Sequence, residues 1–342
     1  MRALRALTVL AVLATLAWCG YWVIGQQALD RAIRAGLAHV PEVSAGSHSI
    51  GGFPNRFDVT FNEPRVAVDG VTWTAPFVQI MALSYQPNRL IAVFAHDQAL
   101  RVNGTEASLH SEDLRASMAM DATLDLPLDR VTLVGQGLDL LVGAANNRFD
   151  SLRLASRRIG PAIHEIAALA ETVYPDTAMM DRMDPQGLWP RRFDVLRLDA
   201  EVAFDRPLDR HLFDGAEPRL SRLTLTGARV AWDGVDIVAA GRLTPDAEGR
   251  LSGDVTLTVT GWRRLLDLAR AGPADPREPD HPGRDAGRDG HWRGRRDNRG
   301  AAGRGRRRSE DGAGRSGHPA AAALIGPPKM HAEWDNNFKL EI

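Results

Sequence analysis

Cysteine and lysine are nearly missing from this chain of 342 residues. The one cysteine, Cys19, sits inside an apolar run, so no internal disulfide can form. Only Lys329 and Lys339 are lysines; every other member of the 42 basic residues is arginine. That skew reflects GC-rich codons and is no sign of phosphate binding. A formal net charge of -1 leaves no bulk field to hold nucleic acid.

Recognisable chemistry is also scarce. Among His39, His48, His96, His110, His164 and His211 there is no two-His helical pair and no carboxylate spacing of a zinc or iron site. His96-Asp97 at a strand end and His164-Glu165 on an expected helix read as surface polar residues. Gly135-Gln136-Gly137 lacks the third glycine of a dinucleotide fingerprint and reads as a turn. The sequence shows no nucleophile elbow and no phosphate-cradling loop. It therefore assigns no catalytic residue, no metal and no cofactor, and leaves open only a triad assembled from distant Ser, His and Asp.

Long apolar runs are few as well, and the exception is at the N-terminus. Arg2 and Arg5 precede residues 7–24, which contain Leu7, Leu10, Leu13, Leu16, Trp18, Trp22 and Ile24, and no charge follows until Asp30. A spanning helix needs about 20 apolar residues. The arginines before the run predict an N-inside, C-outside anchor, with Trp18, Tyr21 and Trp22 at the outer interface. A cleaved signal would need a shorter run and a small-x-small site, and Leu16-Ala17-Trp18-Cys19 puts a bulky residue before the cysteine where a lipoprotein signal has a small one. Residues 1–26 are thus expected to be an uncleaved membrane anchor. Leu29, Ile33 and Leu37 carry the helix on as an amphipathic stalk over 27–46.

From residue 47 to about 260 the dominant period is two. Met118, Met120, Ala122, Leu124 and Leu126 alternate with polar residues, as do Leu196, Leu198, Ala200, Val202 and Phe204, and Leu251, Val255, Leu257 and Val259. Strands with one apolar and one wet face belong to antiparallel sheet. Asp69-Gly70 and Asp233-Gly234 are two-residue hairpin signals, and Pro87-Asn88, Asn103-Gly104 and residues 245–249 mark further reversals. A helix is expected over 161–173, where Ile163, Ile166, Ala167 and Ala170 share a face, and another over 262–270. The expected fold class is mainly β, in antiparallel meanders, with an N-terminal transmembrane helix and one or two short helices. Its units are a β-rich lobe over 47–158, a helix and loop over 159–190, and a second β-rich lobe over 191–272. Residues 65–71 are echoed by 229–235, which fits either a duplication or two hairpins with the same turn chemistry.

Three blocks resemble a known family. Gly51-Gly52-Phe53-Pro54-Asn55-Arg56-Phe57-Asp58, Trp73-Thr74-Ala75-Pro76-Phe77 and Leu83-Ser84-Tyr85-Gln86-Pro87-Asn88-Arg89-Leu90-Ile91-Ala92-Val93 resemble the bacterial family catalogued as domain of unknown function 2125, over about residues 10 to 270. The resemblance implies an envelope protein of Gram-negative bacteria with an N-terminal anchor, and it supplies no activity. A looser likeness, of architecture alone, is to AsmA-type envelope proteins, which are linked to lipid handling. Within the blocks, Gly52 and Pro54 set a turn, and Arg56 and Asp58 share a strand face and can pair. Trp73 and Phe77 read as core. Gly52, Phe53, Pro54, Arg56, Asp58, Trp73, Pro76, Tyr85 and Pro87 are the candidate ligand or family-motif residues. Phe53, Trp73 and Tyr85 are the aromatic set that would contact a ligand.

Residues 273–319 contain no Leu, Ile, Val, Phe or Met, so a disordered Arg/Gly-rich tail is expected over 273–342. The abrupt change of composition also fits a reading frame lost soon after Gly272. These readings lead to a single-pass protein of the inner membrane with its bulk in the periplasm. The expected partners are the membrane and lipid, not nucleic acid, and a non-enzymatic lipid-handling or envelope-assembly role is favoured. An exported hydrolase and an adaptor for envelope complexes are the alternatives.

Overall fold

The structure is a computed structural model that describes residues 1–213, 218–246 and 248–271, and the backbone of 331–334 and 338–341. The expected tail and its reading-frame argument fall almost wholly outside the described residues.

Helix α1, Arg2–His39, is one uninterrupted element. The first strands are short: β1 Val43–Ser44, β2 Ser47–Gly51, β3 Arg56–Asn62, β4 Arg65–Val68, β5 Val71–Thr74, β6 Phe77–Leu83, β7 Gln86–Phe94 and β8 Asp97–Val102. Longer ones follow: β9 Thr105–Met120, β10 Leu128–Val142, β11 Ala145–Gly160 and β12 Ile163–Tyr174. A short helix α2, Thr177–Met183, precedes β13 Phe193–Phe204, β14 Leu220–Trp232, β15 Val235–Pro245 and β16 Leu251–Thr260. Helix α3, Trp262–Ala271, closes this part, and β17 His331–Trp334 and β18 Phe338–Glu341 form a terminal hairpin whose second strand pairs with β16.

All pairings are antiparallel and join into one sheet. From β9 to β16 each strand pairs with the next in sequence. The sheet is thus continuous where two lobes were expected. On its other edge β9 pairs with β8 over its first half and with β7 over its second, and each of those leads on to an inner set of short strands. The expected hairpins hold: Asp69-Gly70, Asn103-Gly104 and Asp233-Gly234 all have positive φ at both residues, the geometry of a two-residue turn matched to strand twist. The 65–71 and 229–235 echo is thereby a pair of like hairpins at one end of the sheet. The reversal expected at Pro87-Asn88 comes earlier, at Ser84-Tyr85. Pro87 falls inside β7 where the register jumps between Leu83↔Gln86 and Ala82↔Leu90, so its missing N–H leaves no gap in the ladder. Strand β9 ends at Met120, and Leu124 lies in the loop beyond it, 86% exposed, instead of continuing the strand.

One feature of the backbone decides the architecture. Residues three apart on a regular strand face opposite ways, yet a Cβ on Gly135 would meet the side chains of Leu138 at 2.9 Å and Leu114 at 3.2 Å. Phe149 and Leu152, Ala170 and Val173, and Phe193 and Leu196 likewise share one cluster. The register is kept across it, from Asp113↔Gln136 to Ser111↔Leu138, although the pair between them, Glu112 and Gly137, is not made. A crease therefore crosses neighbouring strands at the same level and shifts the parity of each, with positive φ at Glu63, Gly137 and Thr172. Ala95, Ser111 and Leu138 lie at its buried bottom.

Two expectations are corrected here. Strand β12 occupies the stretch from Ile163 on, not a helix: Ile166 and Ala170 face one side of the strand and Ile163 and Ala167 the other, so the helical spacing came from apolar residues on both faces. Gly135-Gln136-Gly137 is not a turn but the middle of β10, where glycine gives Leu138 room and supplies the positive φ at 137. The helix expected over 262–270 is present as α3. The expected long loop before β13 contains α2, capped by Asp176 Oδ2, which accepts from Ala178 N at 2.9 Å.

Candidate functional site

Reading the register pairs from strand to strand identifies one side of the sheet, called the inner face here. It carries Leu109, Leu114 and Met118 on β9, Val131, Leu133 and Leu138 on β10, and Leu152 and Leu154 on β11. Ile166 and Ala168 on β12, Leu196 and Leu198 on β13, Leu225 and Val230 on β14, Ile237 and Ala239 on β15, and Val255 and Leu257 on β16 continue it. The opposite face is polar. Arg157–Glu165, Arg229–Asp236 and Arg197–Asp199 pairs cross it, all substantially exposed and so worth little each.

One end of the inner face is capped. Met180 of α2, Trp189 of the following loop and Leu268 of α3 close over Val173, Phe193, Trp232, Val235 and Val259, all buried. Trp189 and Trp232 pack with ring centroids 4.4 Å apart, and Trp232 Nε1 donates to Pro190 O at 2.8 Å. Asp184 Oδ2 accepts from Trp189 N at 2.7 Å and fixes the loop. The middle of the same face is open: Leu154 is 39% and Leu198 37% exposed, and among the described residues no element is laid over them. Sequence reasoning missed the cap residues and Leu154. The alternation of Leu152 and Leu154 with Arg153 was the available signal.

The family-motif residues gather mostly at the other end, where α1 meets the sheet. Trp18 Nε1 donates to Pro54 O at 3.0 Å, Tyr21 Oη to Ser84 O at 2.8 Å and Trp22 Nε1 to Arg56 O at 2.8 Å. Spacing of three and four places these donors on one helix face, aimed at strand-end carbonyls that need partners. Trp22 is buried, stacked on Phe57 and edge-on to Phe53. Gly52 has φ +93, and a Cβ there would lie 2.8 Å from Arg56 O and 2.9 Å from Asp58 Cγ. The expected Arg56–Asp58 pair forms at 2.9 Å.

Trp73 stands apart from this group. It donates to Gln98 Oε1 at 2.8 Å and lies about ten residues along the strand line from the Ser84-Tyr85 turn, roughly 30 Å at strand rise. Phe53, Trp73 and Tyr85 therefore do not form one aromatic set. Phe77 is not core: the crease at Ala75 and Pro76 shifts its parity, and it is 38% exposed, while Pro76 O accepts from Glu63 N at 2.9 Å. Leu7, Leu10, Leu13, Leu16 and Ile24 of α1 are exposed. A cleft of about 530 Å³ near the junction is lined by Arg56, Arg89 and Arg130 beside Met81, Leu83 and Leu90.

Titratable groups are sparse in the interior. His164, expected on a surface, is 1% exposed on the inner face of β12. Ser156 Oγ lies 3.2 Å from its Nδ1, Phe204 packs on its ring, and its Nε2 has no hydrogen-bond partner. Burial, aided by the Arg158 charge, holds its pKa below the ordinary 6.5. A serine and a histidine within reach resemble a nucleophile and its base, but a hydrolase also needs a group orienting the far nitrogen and a path for substrate. Here that nitrogen is unpartnered and the ring is sealed. His96 and Glu165 are exposed as expected. Among the described residues no group of three His, Cys, Asp or Glu side chains is placed to hold a metal.

Fold and site together define a class: a long, creased antiparallel sheet, apolar on one side, carried on a helix long and apolar enough to cross a membrane. A family model described as an uncharacterised protein conserved in bacteria, DUF2125, matches residues 22–281, and the chain belongs to that family. No curated protein and no solved structure matches it.

Proposed function

We propose that this protein is a lipid-handling component of the bacterial cell envelope, held by α1 as an uncleaved anchor in the inner membrane, with its sheet on the periplasmic side. Acyl chains lie along the open middle of the inner face. The observation that carries this reading is the exposure of Leu154 and Leu198 inside an otherwise continuous apolar surface of eight strands. Neighbouring exposed leucines on an apolar face support a ligand site there. Its polar complement is the outer face, which suits an AsmA-like meander standing in water. Arg2 and Arg5 before the apolar run support the orientation.

The role is one of holding and moving lipid, not of chemistry. The experiment purifies the full chain in detergent and measures bound phospholipid by mass spectrometry. Wild type and the outer-face pair Arg153→Gln/Arg197→Gln should retain phospholipid, while Leu154→Gln/Leu198→Gln should lose most of it. Equal retention by all three would contradict the proposal.

A further inference from the structure

The apolar helix does not stand free for long enough to cross a bilayer. Residues 6–17, between Arg5 and the first contact with the sheet, are all exposed and span about 18 Å at a rise of ~1.5 Å per residue. A hydrocarbon core is about 30 Å thick. Helix tilt only lengthens the requirement. The span must therefore run on through Trp18 and Trp22, which are already tied to Pro54 O and Arg56 O. The sheet turns that hold those residues then lie at membrane depth.

The turns at that end are built for it. Phe53, Tyr85, Leu124 and Ile159 are each half exposed or more; the first three belong to separate loops at that one end, and Ile159 lies at the end of β11 beside the next turn. At the far end the tight turns are Asp69-Gly70, Asn103-Gly104 and Asp233-Gly234. That end has exposed apolar residues too, Val68, Val71 and Val102 beside its turns and Met179 and Leu188 on the cap, but the apolar helix leaves from the opposite end. Arg56, Arg89 and Arg130 line the cleft beside the junction, at the level where lipid phosphates would meet them.

We infer that this end of the sheet is docked in the interface of the bilayer that α1 spans, with Phe53, Tyr85, Leu124 and Ile159 inserted among the headgroups. The sheet is then fixed to the membrane by its own loops, not suspended from a free stalk. The inference rests on α1 being the span, and is independent of lipid on the inner face.

The test uses the full chain with Cys19→Ala, reconstituted in vesicles of phosphatidylethanolamine and phosphatidylglycerol. One environment-sensitive fluorophore is attached at a time through Tyr85→Cys, Leu124→Cys or Ile159→Cys. Asn103→Cys and Ala144→Cys report the far end, and Leu10→Cys reports the span. Lipids with a spin label near the headgroup should quench the first three several-fold more than the far-end pair, and aqueous iodide should show the reverse order. If Leu10→Cys is quenched by lipid while the first three sites behave like the far end, docking is wrong and the anchor stands. Iodide access at Leu10→Cys would overturn docking together with the span.

Discussion

The capped end and the open middle of the inner face are made from the same strands, in the same register, with the same residue types. Leu196 packs against the cap cluster while Leu198, two residues on, is 37% exposed. What separates them is not strand sequence but what the connections supply. The link between β12 and β13 brings α2 and Trp189 over one end, and α3 follows β16 to the same place. Among the described residues no connection covers the middle. An apolar strand position thus specifies a face, and only the loops specify whether that face is closed.

The sharpest way to break this comparison is to bury a charge at each place. Val259→Asp, in the capped cluster, should prevent folding, because an unpaired carboxylate in an apolar setting costs several kcal/mol at least. Leu198→Asp should fold and melt cooperatively near wild type in circular dichroism. Equal damage from both would mean that the middle is closed as well. Trp232→Ala should lower the unfolding free energy by about 3–5 kcal/mol, since it removes a buried ring and the bond to Pro190 O. Leu198→Ala should cost only about 1–2 kcal/mol, and denaturant titration measures both.

Smaller effects follow at the junction and at the buried imidazole. Gly52→Ala should cost about 1–3 kcal/mol, because it forces an L side chain into positive φ against Arg56 O. It should also weaken the contact of Trp18 and Trp22 with the turn, seen as a red shift of their emission. His164 has a lowered folded pKa, so the unfolded chain takes up more protons as pH falls. The sign of the linkage is then set: stability is full above 6.5 and declines below it, toward the lowered folded value. His110, whose pKa is raised by its bond to Asp97, acts in the opposite sense, but that pair is exposed and weak. Wild type should therefore melt a few degrees lower at pH 5 than at pH 7.5, and His164→Phe should remove most of that difference. An unchanged pH dependence in the variant would place the titration elsewhere.

Much of the fold was legible because period two is a strong signal. Alternation at residues 196–204 and 251–260, the Asx-Gly turns and the apolar N-terminus all led to elements that exist. The crease was not legible, because it arises where neighbouring strands shift parity together, and β12 read as a helix because it carries apolar residues on both faces, Ile166 and Ala170 against Ile163 and Ala167. The crease misplaced Phe77. The motif residues were found, but their role depends on Trp18, Tyr21 and Trp22, which the sequence offered only as membrane aromatics. His164 looked like a surface residue because its burial depends on Phe204 and on a strand pairing with no local mark.

If the inner face holds lipid while the outer face does not, one pair of adjacent residues decides it. A photoreactive benzophenone amino acid is placed at Leu198 or at Arg197 in the full chain, irradiated in intact cells, and the protein is examined for covalent adducts by mass spectrometry. Phospholipid adducts are expected at 198 and few or none at 197. Adducts at neither position, or equally at both, would contradict the proposal.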